Sequence, residues 1–182
     1  MLMPPSIIET ERLLLREITL DDTAVMFRLN SHPEVQKYTG EPLVQSMEEM
    51  EEAIRKRTAD YKKYGYGRWA TILKEGMHFT GWAGLAYLPE FDEIDLGYRF
   101  FPEYWGKGIA TEASQAILNY GFETLQLDRI IAIAMKENTA SIRVMEKVGM
   151  EFEKFAPYDP GGDDVVWYDC DKERLAKFIS NT

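Results

Sequence analysis

The spacing of apolar and polar positions changes several times along the chain, and each change marks an element. Residues 12–18 (RLLLREI) form a leucine-rich run that reads as a buried strand. Thr19-Leu20-Asp21-Asp22 then supplies capping side chains for a helix running to about Asn30, with Ala24, Phe27 and Leu20 on one side. Pro33 ends that helix by pushing His32 out of helical conformation, and residues 33–45 read as loop. Ser46-Met47-Glu48-Glu49 fits a capping box, and the helix it opens extends to Tyr64 with a heavily charged outer face. Gly65 and Gly67 close it. Three strands follow at residues 68–73, 79–88 and 94–101, with turns at Lys74-Glu75-Gly76 and over residues 89–93. Residues 109–124 carry Ala113, Ala116, Ile117 and Tyr120 at helical spacing. The continuous apolar run 129–135 (RIIAIAM) predicts a strand covered on both faces. A shorter helix over 138–148 stops at Gly149, strands at 150–157 and 165–170 flank the turn Asp159-Pro160-Gly161-Gly162-Asp163, and a helix over 172–179 ends the chain. Residues 1–8 read as a short extended tail.

This order predicts an α/β (α+β) fold with one central mixed sheet of about seven strands flanked by helices. At 182 residues, 45% of them apolar, the chain is read as a single domain over 1–182. No apolar run approaches the ~20 residues of a membrane span. The N-terminus lacks the basic-then-apolar pattern of a secretory signal, so a cytoplasmic location with no membrane partner is expected. One cysteine and two histidines exclude a disulfide framework and make a metal site unexpected. The formal net charge of −10 argues against nucleic acid and is compatible with an amine substrate.

That charge sharpens the reading of residues 100–111 (FFPEYWGKGIAT), where an apolar strand meets a helix through a glycine-spaced turn. The overall field repels a phosphate, so any anion held here needs local donors. Gly106 and Gly108 allow a sharp turn and a close approach, the helix start aims free N–H groups into it, and Lys107 adds a positive charge. The turn lies at the carboxyl end of its strand, where open sheets bind ligands.

Three blocks, ETERLLLREITLDD, LGYRFFPEYWGKGIATEA and ENTASIRVMEKVGMEFE, occur in an order that resembles the GNAT superfamily of acyl-CoA N-acyltransferases, and within it the RimJ/RimL-like branch, whose named members acetylate ribosomal-protein N-termini. The superfamily signature Arg/Gln-x-x-Gly-x-Gly/Ala reads here Trp105-Gly106-Lys107-Gly108-Ile109-Ala110, with Trp105 departing at the first position. The resemblance implies a mostly antiparallel sheet in which two strands, ending at Phe101 and Met135, splay to form the acetyl-CoA cleft. It also implies that amides from Gly106, Lys107, Gly108, Ile109, Ala110 and Thr111 hold the pyrophosphate. Main-chain groups around Arg99, Phe100 and Phe101 are then expected to pair with the pantetheine arm, and one N–H to donate to the thioester carbonyl.

Asn138 and Ser141 share one face at the start of their helix. Asn138 reads either as an N-cap or as a contact to the cofactor arm. Ser141 either protonates the departing thiolate or hydrogen-bonds it. Many superfamily members place a tyrosine acid four residues further on, but Met145 stands there, which leaves Ser141 or water as the donor. Arg143 and Lys147 are either contacts to the 3′-phosphate or solvated helix charges. For the base, Glu93 and Asp95 fall on one face of the strand leading into the site, and either reads equally as a surface charge. His78 and Tyr87 are further candidates, and Tyr158 is a possible wall of the acceptor pocket. The expected reaction is direct attack of a primary amine in a ternary complex. The acceptor is either a protein N-terminal amine or a small amine such as a polyamine, amino acid or aminoglycoside. A non-catalytic acetyl-CoA sensor is the reading from another class. The protein is expected to be a monomer or a homodimer, with 165–170 as an edge strand able to pair with a second copy.

Overall fold

The computed structural model describes residues 4–181. Its strands are β1 (Ser6–Glu9), β2 (Leu13–Arg16), β3 (Arg68–Leu73), β4 (His78–Leu88), β5 (Glu93–Phe100), β6 (Arg129–Ala134), β7 (Glu151–Pro157) and β8 (Asp164–Asp171). Its helices are α1 (Thr23–Asn30), α2 (Pro33–Gln36), α3 (Met47–Tyr64), α4 (Ile109–Glu123), α5 (Thr139–Lys147) and α6 (Lys172–Ser180). The strands make one eight-stranded sheet in the order β1-β2-β3-β4-β5-β6-β8-β7. The eighth strand is β1, which lies in the stretch expected as a tail and pairs antiparallel with β2. Residues 1–3 of that stretch lie outside the described residues.

Every neighbouring pair is antiparallel except β5 and β6, which run parallel and share only the register pair Asp95 with Ile131. A parallel pair needs a long crossover, here supplied by α4. Beyond Asp95 the two strands separate, and the gap becomes the site.

Alternation along β3 and β4 divides the core between the two faces of the sheet. Trp69, Ala83 and Leu85 pack with Ile109, Ala113 and Ile117 of α4 on one face. Ala70 and Trp82 pack with Met26 and Leu29 of α1 and Met50 and Ile54 of α3 on the other.

Three details differ from expectation. The strand expected as an edge, now β8, lies between β6 and β7, so its backbone is paired on both sides and unavailable to a second copy. The sheet edges are β1 and β7. In α1 the buried positions are Thr23, Met26, Leu29 and Asn30, not the side of Ala24 and Phe27. Leu20 belongs to a separate 3₁₀ turn before the helix, so the period does not run through it. At the start of α3, Ser46 Oγ accepts the Glu49 N–H at 3.1 Å, while the Glu49 carboxylate accepts from Gln45 N–H at 2.8 Å, one residue outside the expected box. Among the described residues no helix is long and apolar enough to cross a membrane.

Candidate active site

Past β5 the chain makes a short 3₁₀ turn at Pro102–Tyr104 and then the glycine turn. Gly106 and Gly108 have φ of 71° and 77°, left-handed values that glycine takes at little cost. Gly108 caps α4, whose first hydrogen bond runs from Glu112 N–H to the Gly108 carbonyl at 3.0 Å. The amides of Ile109, Ala110 and Thr111 precede that bond and have no acceptor within the helix. A Cβ on Gly106 would meet nothing within 4 Å, so this cluster of amides is open. Such an array fits a phosphate or pyrophosphate.

The turn is braced from the start of the chain. Arg12 donates to the Lys107 carbonyl at 2.9 Å and to the Glu112 carboxylate at 2.6 Å, and Thr10 Oγ donates to Glu112 at 2.6 Å. Burial opposes the charge on Glu112, but the hydrogen bonds from Thr10 and Arg12 outweigh it and hold its carboxyl below the usual range. The Lys107 side chain is exposed, its ammonium 5.9 Å from the centre of the Tyr104 ring.

From this turn a cleft of about 1490 Å³ runs between β5 and β6 and on past Ser141 to Arg68, Trp82 and Arg99. Phe101 N–H donates to the Thr80 carbonyl at 3.0 Å, so Phe101 and Arg99 aim their main-chain groups into the ladder with β4. Strand alternation then leaves those of Tyr98 and Phe100 facing the cleft. The Phe100 carbonyl accepts the Trp105 indole N–H at 2.7 Å, which gives the departing signature residue a structural role. On the cleft wall, Tyr98 donates its hydroxyl to Ser141 Oγ at 3.1 Å. Burial raises the Tyr98 pKa, the contact with Ser141 lowers it in part, and the hydroxyl stays protonated at neutral pH. Met145 is buried in the apolar core. Asn138 caps α5, its carboxamide oxygen accepting Ser141 N–H at 3.2 Å, and Ile109 is likewise a core side chain with an outward amide.

The chain matches the acetyltransferase (GNAT) domain family over residues 12–151. This protein belongs to that family. It is similar to the uncharacterized N-acetyltransferase YoaA of Bacillus subtilis, 33% identical over 170 residues that cover 88% of this chain and 96% of the relative. The spermidine N(1)-acetyltransferase of Escherichia coli K12 is 28% identical over 143 residues, covering 76% and 73%. A crystal structure of a GNAT-family acetyltransferase from Bacillus anthracis superposes with a TM-score of 0.79 at 32% identity, covering 91% of this chain and 98% of that one.

The remaining candidate residues of this N-acetyltransferase fall in different places. Asp95 lines the cleft but is held in an ion pair by Arg68, which also donates to the Gly84 and Asp95 carbonyls. Glu93 pairs with Arg129 at 3.2 Å and does not line the cleft. Arg143 and Lys147 of α5 line it with exposed side chains. Tyr158 also lines it, donating to Glu90 at 3.0 Å; burial and the Glu90 charge push its pKa up to about 12. Tyr87 donates to Asp92 on the surface, and His78 is exposed at the start of β4. Cys170 is buried, and that burial with the Asp171 charge pushes its thiol up to about 12. Sequence reasoning missed Arg68 and Trp82 on the cleft wall, and it missed Tyr98. Its signal lay in the alternation of β5, which puts Tyr98 on the same face as the core residues Leu96 and Phe100 and therefore toward α4 and α5.

Proposed function

We propose that residues 1–182 work as a single acetyltransferase domain that binds acetyl-CoA and passes its acetyl group to a primary amine by direct attack in a ternary complex. The acceptor on this reading is a protein N-terminal α-amine such as that of a ribosomal protein, as in the RimJ/RimL-like branch, and the enzyme acts in the cytoplasm. The observation that carries it is one continuous cleft holding both an open array of amides and a buried tyrosine–serine hydroxyl pair.

The amides from Gly106 to Thr111 would hold the pyrophosphate, with Lys107 and the side chains of Asn138, Arg143 and Lys147 beside the cofactor arm. Bound acetyl-CoA supplies the activated acyl group. The N–H groups of Tyr98 and Phe100 face the gap and would take the role first assigned to the main chain of Arg99, Phe100 and Phe101, including donation to the thioester oxygen. Ser141 would protonate the sulfur and draw its replacement proton from Tyr98, which would regain one from solvent, where the proton released by the amine goes. An α-amine has a pKa near 8 and loses its proton at pH 7 for about 1 kcal/mol, whereas a lysine amine near 10.4 costs roughly 4 to 5. That small demand suits a site in which Asp95 and Glu93 are both engaged by arginines, and water carries the proton out.

A polyamine acceptor is the second reading. It is favoured by the acidic turn Asp159, Asp163 and Asp164, which lines the same cleft, and by the likeness to the spermidine enzyme. Calorimetry with acetyl-CoA, followed by thiol release over a panel of peptide N-termini, polyamines and amino acids, tests the proposal. Binding with release for one amine class supports it and names the class. Absence of acetyl-CoA binding overturns it, and binding without release for any amine favours a sensor.

A further inference from the structure

The buried stripe of α3 contains one residue that does not belong in an apolar stripe. Met50, Ile54 and Tyr61 are buried, and Arg57 falls between them at the i, i+4, i+7, i+11 spacing that turns one helical face to the core. Its guanidinium lies 4.7 Å from the centre of the Trp82 ring. Two more guanidiniums share that ring, Arg99 at 5.2 Å and Arg68 at 5.5 Å. Burial first, and then repulsion from Arg99 and Arg68, pushes the pKa of Arg57 down to about 10, so it still carries its charge at pH 7.

The balance of carboxylates around the three cations is unequal. Arg68 is matched by Asp95, both side chains 13% exposed. A Cβ on Gly97 would meet the Arg68 guanidinium at 2.8 Å, so glycine there lets Arg68 lie flat across β5 to reach that partner. Arg99, 9% exposed, takes the carboxamide oxygen of Asn30 at 2.8 Å and the carboxylate of Glu41 at 2.7 Å. Glu41 sits 58% exposed on the irregular segment between α2 and α3, so its carboxylate can leave at small cost. Arg57 has no ion-pair or hydrogen-bond partner among the described residues. The buried indole N–H of Trp82 also lacks an acceptor there. Glu41, Trp82 and Arg99 line one end of the cleft, and Arg57, which is not among the residues lining it, lies over the Trp82 ring where the Glu41 charge reaches it, so a carboxylate in the place of Glu41 meets two cations.

That end is the acceptor's. Arg99 follows Tyr98 on β5, a rise of about 3.3 Å per residue, and projects from the face opposite the Tyr98–Ser141 pair. An amine attacking beside Tyr98 from that face has its next few atoms against Arg99, Trp82 and Glu41. We propose that the acceptor is an amine that carries a carboxylate, which takes the place of Glu41 on Arg99 beside Trp82, within the field of the Arg57 charge. This rests on the acetyl-transfer reading above and selects within it, against polyamines, whose extra ammonium groups would face the arginines. The carboxylate comes either from a free amino acid or from an acidic side chain near a peptide N-terminus.

The test is calorimetry on the CoA-loaded protein with matched probes: the dipeptides Ala-Glu and Ala-Gln as C-terminal amides, free glutamine and its α-amide, and spermidine. Charge-assisted hydrogen bonds of about 1.5 to 3 kcal/mol correspond to a preference of about 10- to 100-fold for the acid over its amide. Preference confined to the peptide pair identifies an acidic N-terminus, and preference for free glutamine over its α-amide identifies an amino acid. Arg57→Met, close in length and apolar, should reduce that preference by a few fold, and an unchanged preference would remove Arg57 from the inference. Glu41→Gln should do the reverse and tighten the acid by a few fold. Equal binding within each pair, undetectable binding of all probes, or tighter spermidine overturns the inference. Loss of CoA binding itself overturns instead the acetyl-transfer reading beneath it.

Discussion

The two ends of the cleft are built by different means. At the α4 end the polar groups are main-chain N–H groups presented by a glycine turn and a helix start, all within residues 106–111. Toward α3 they are side chains gathered from residues 41, 68, 82, 95 and 99, on three strands and a loop, with Arg57 of α3 over the Trp82 ring. A backbone array is specified by where glycine permits a turn, so its chemistry is contiguous in the chain. A side-chain cluster is specified by packing, so any member can be replaced without altering local structure. The first suits a ligand held by its phosphates, and the second suits selection of one acceptor among many amines.

Substitutions confined to one end should leave the other end's constants alone. The largest effect belongs to the hydroxyl pair between them: Tyr98→Phe or Ser141→Ala should lower kcat by about 10²- to 10⁴-fold with acetyl-CoA affinity retained, read by thiol release and calorimetry. An unchanged rate in Ser141→Ala would remove it from the mechanism. At the α4 end, Gly108→Ala puts a Cβ on a left-handed residue 3.4 Å from the Arg12 guanidinium. The backbone strain alone is about 1 to 2 kcal/mol, and acetyl-CoA should bind about tenfold more weakly while acceptor preference is kept. A change in that preference would mean that the two ends are not separate.

Smaller effects follow from the brace and from titration. Glu112→Gln weakens the link to Arg12 and should cost about 1 to 2 kcal/mol in denaturant unfolding. Because the folded Glu112 carboxyl lies below its usual value, its stabilisation is complete above about pH 4.5 and is lost as pH falls through the lower folded value. The wild-type advantage over the Gln variant should therefore vanish in acid. Tyr98 is raised, so it stays protonated through about pH 10, and turnover should not decline with rising pH below that point. A decline between pH 8 and 10 that disappears in Tyr98→Phe would contradict the raised pKa of Tyr98.

Most element boundaries were legible within one or two residues because caps, glycines and apolar spacing are local signals. The strand at 165–170 was legible as a strand but not as an interior one, since a periodicity of two does not state which neighbours pair. The loss of the usual acid at Met145 was legible too, but its replacement was not: Tyr98 reaches Ser141 across 43 positions. Arg57 stood in plain view on the 50, 54, 57, 61 stripe, and a charged residue at a core spacing was the signal that could have found it.

The sequence by itself determined the elements other than β1 and α2, the glycine turn and the family, because each depends on residues close in the chain or on blocks kept in order. Only the tertiary structure decided which strands splay, which main-chain groups face the gap, and that three arginines meet on one indole. Those depend on register and packing between segments up to a hundred residues apart, and no local rule carries that information.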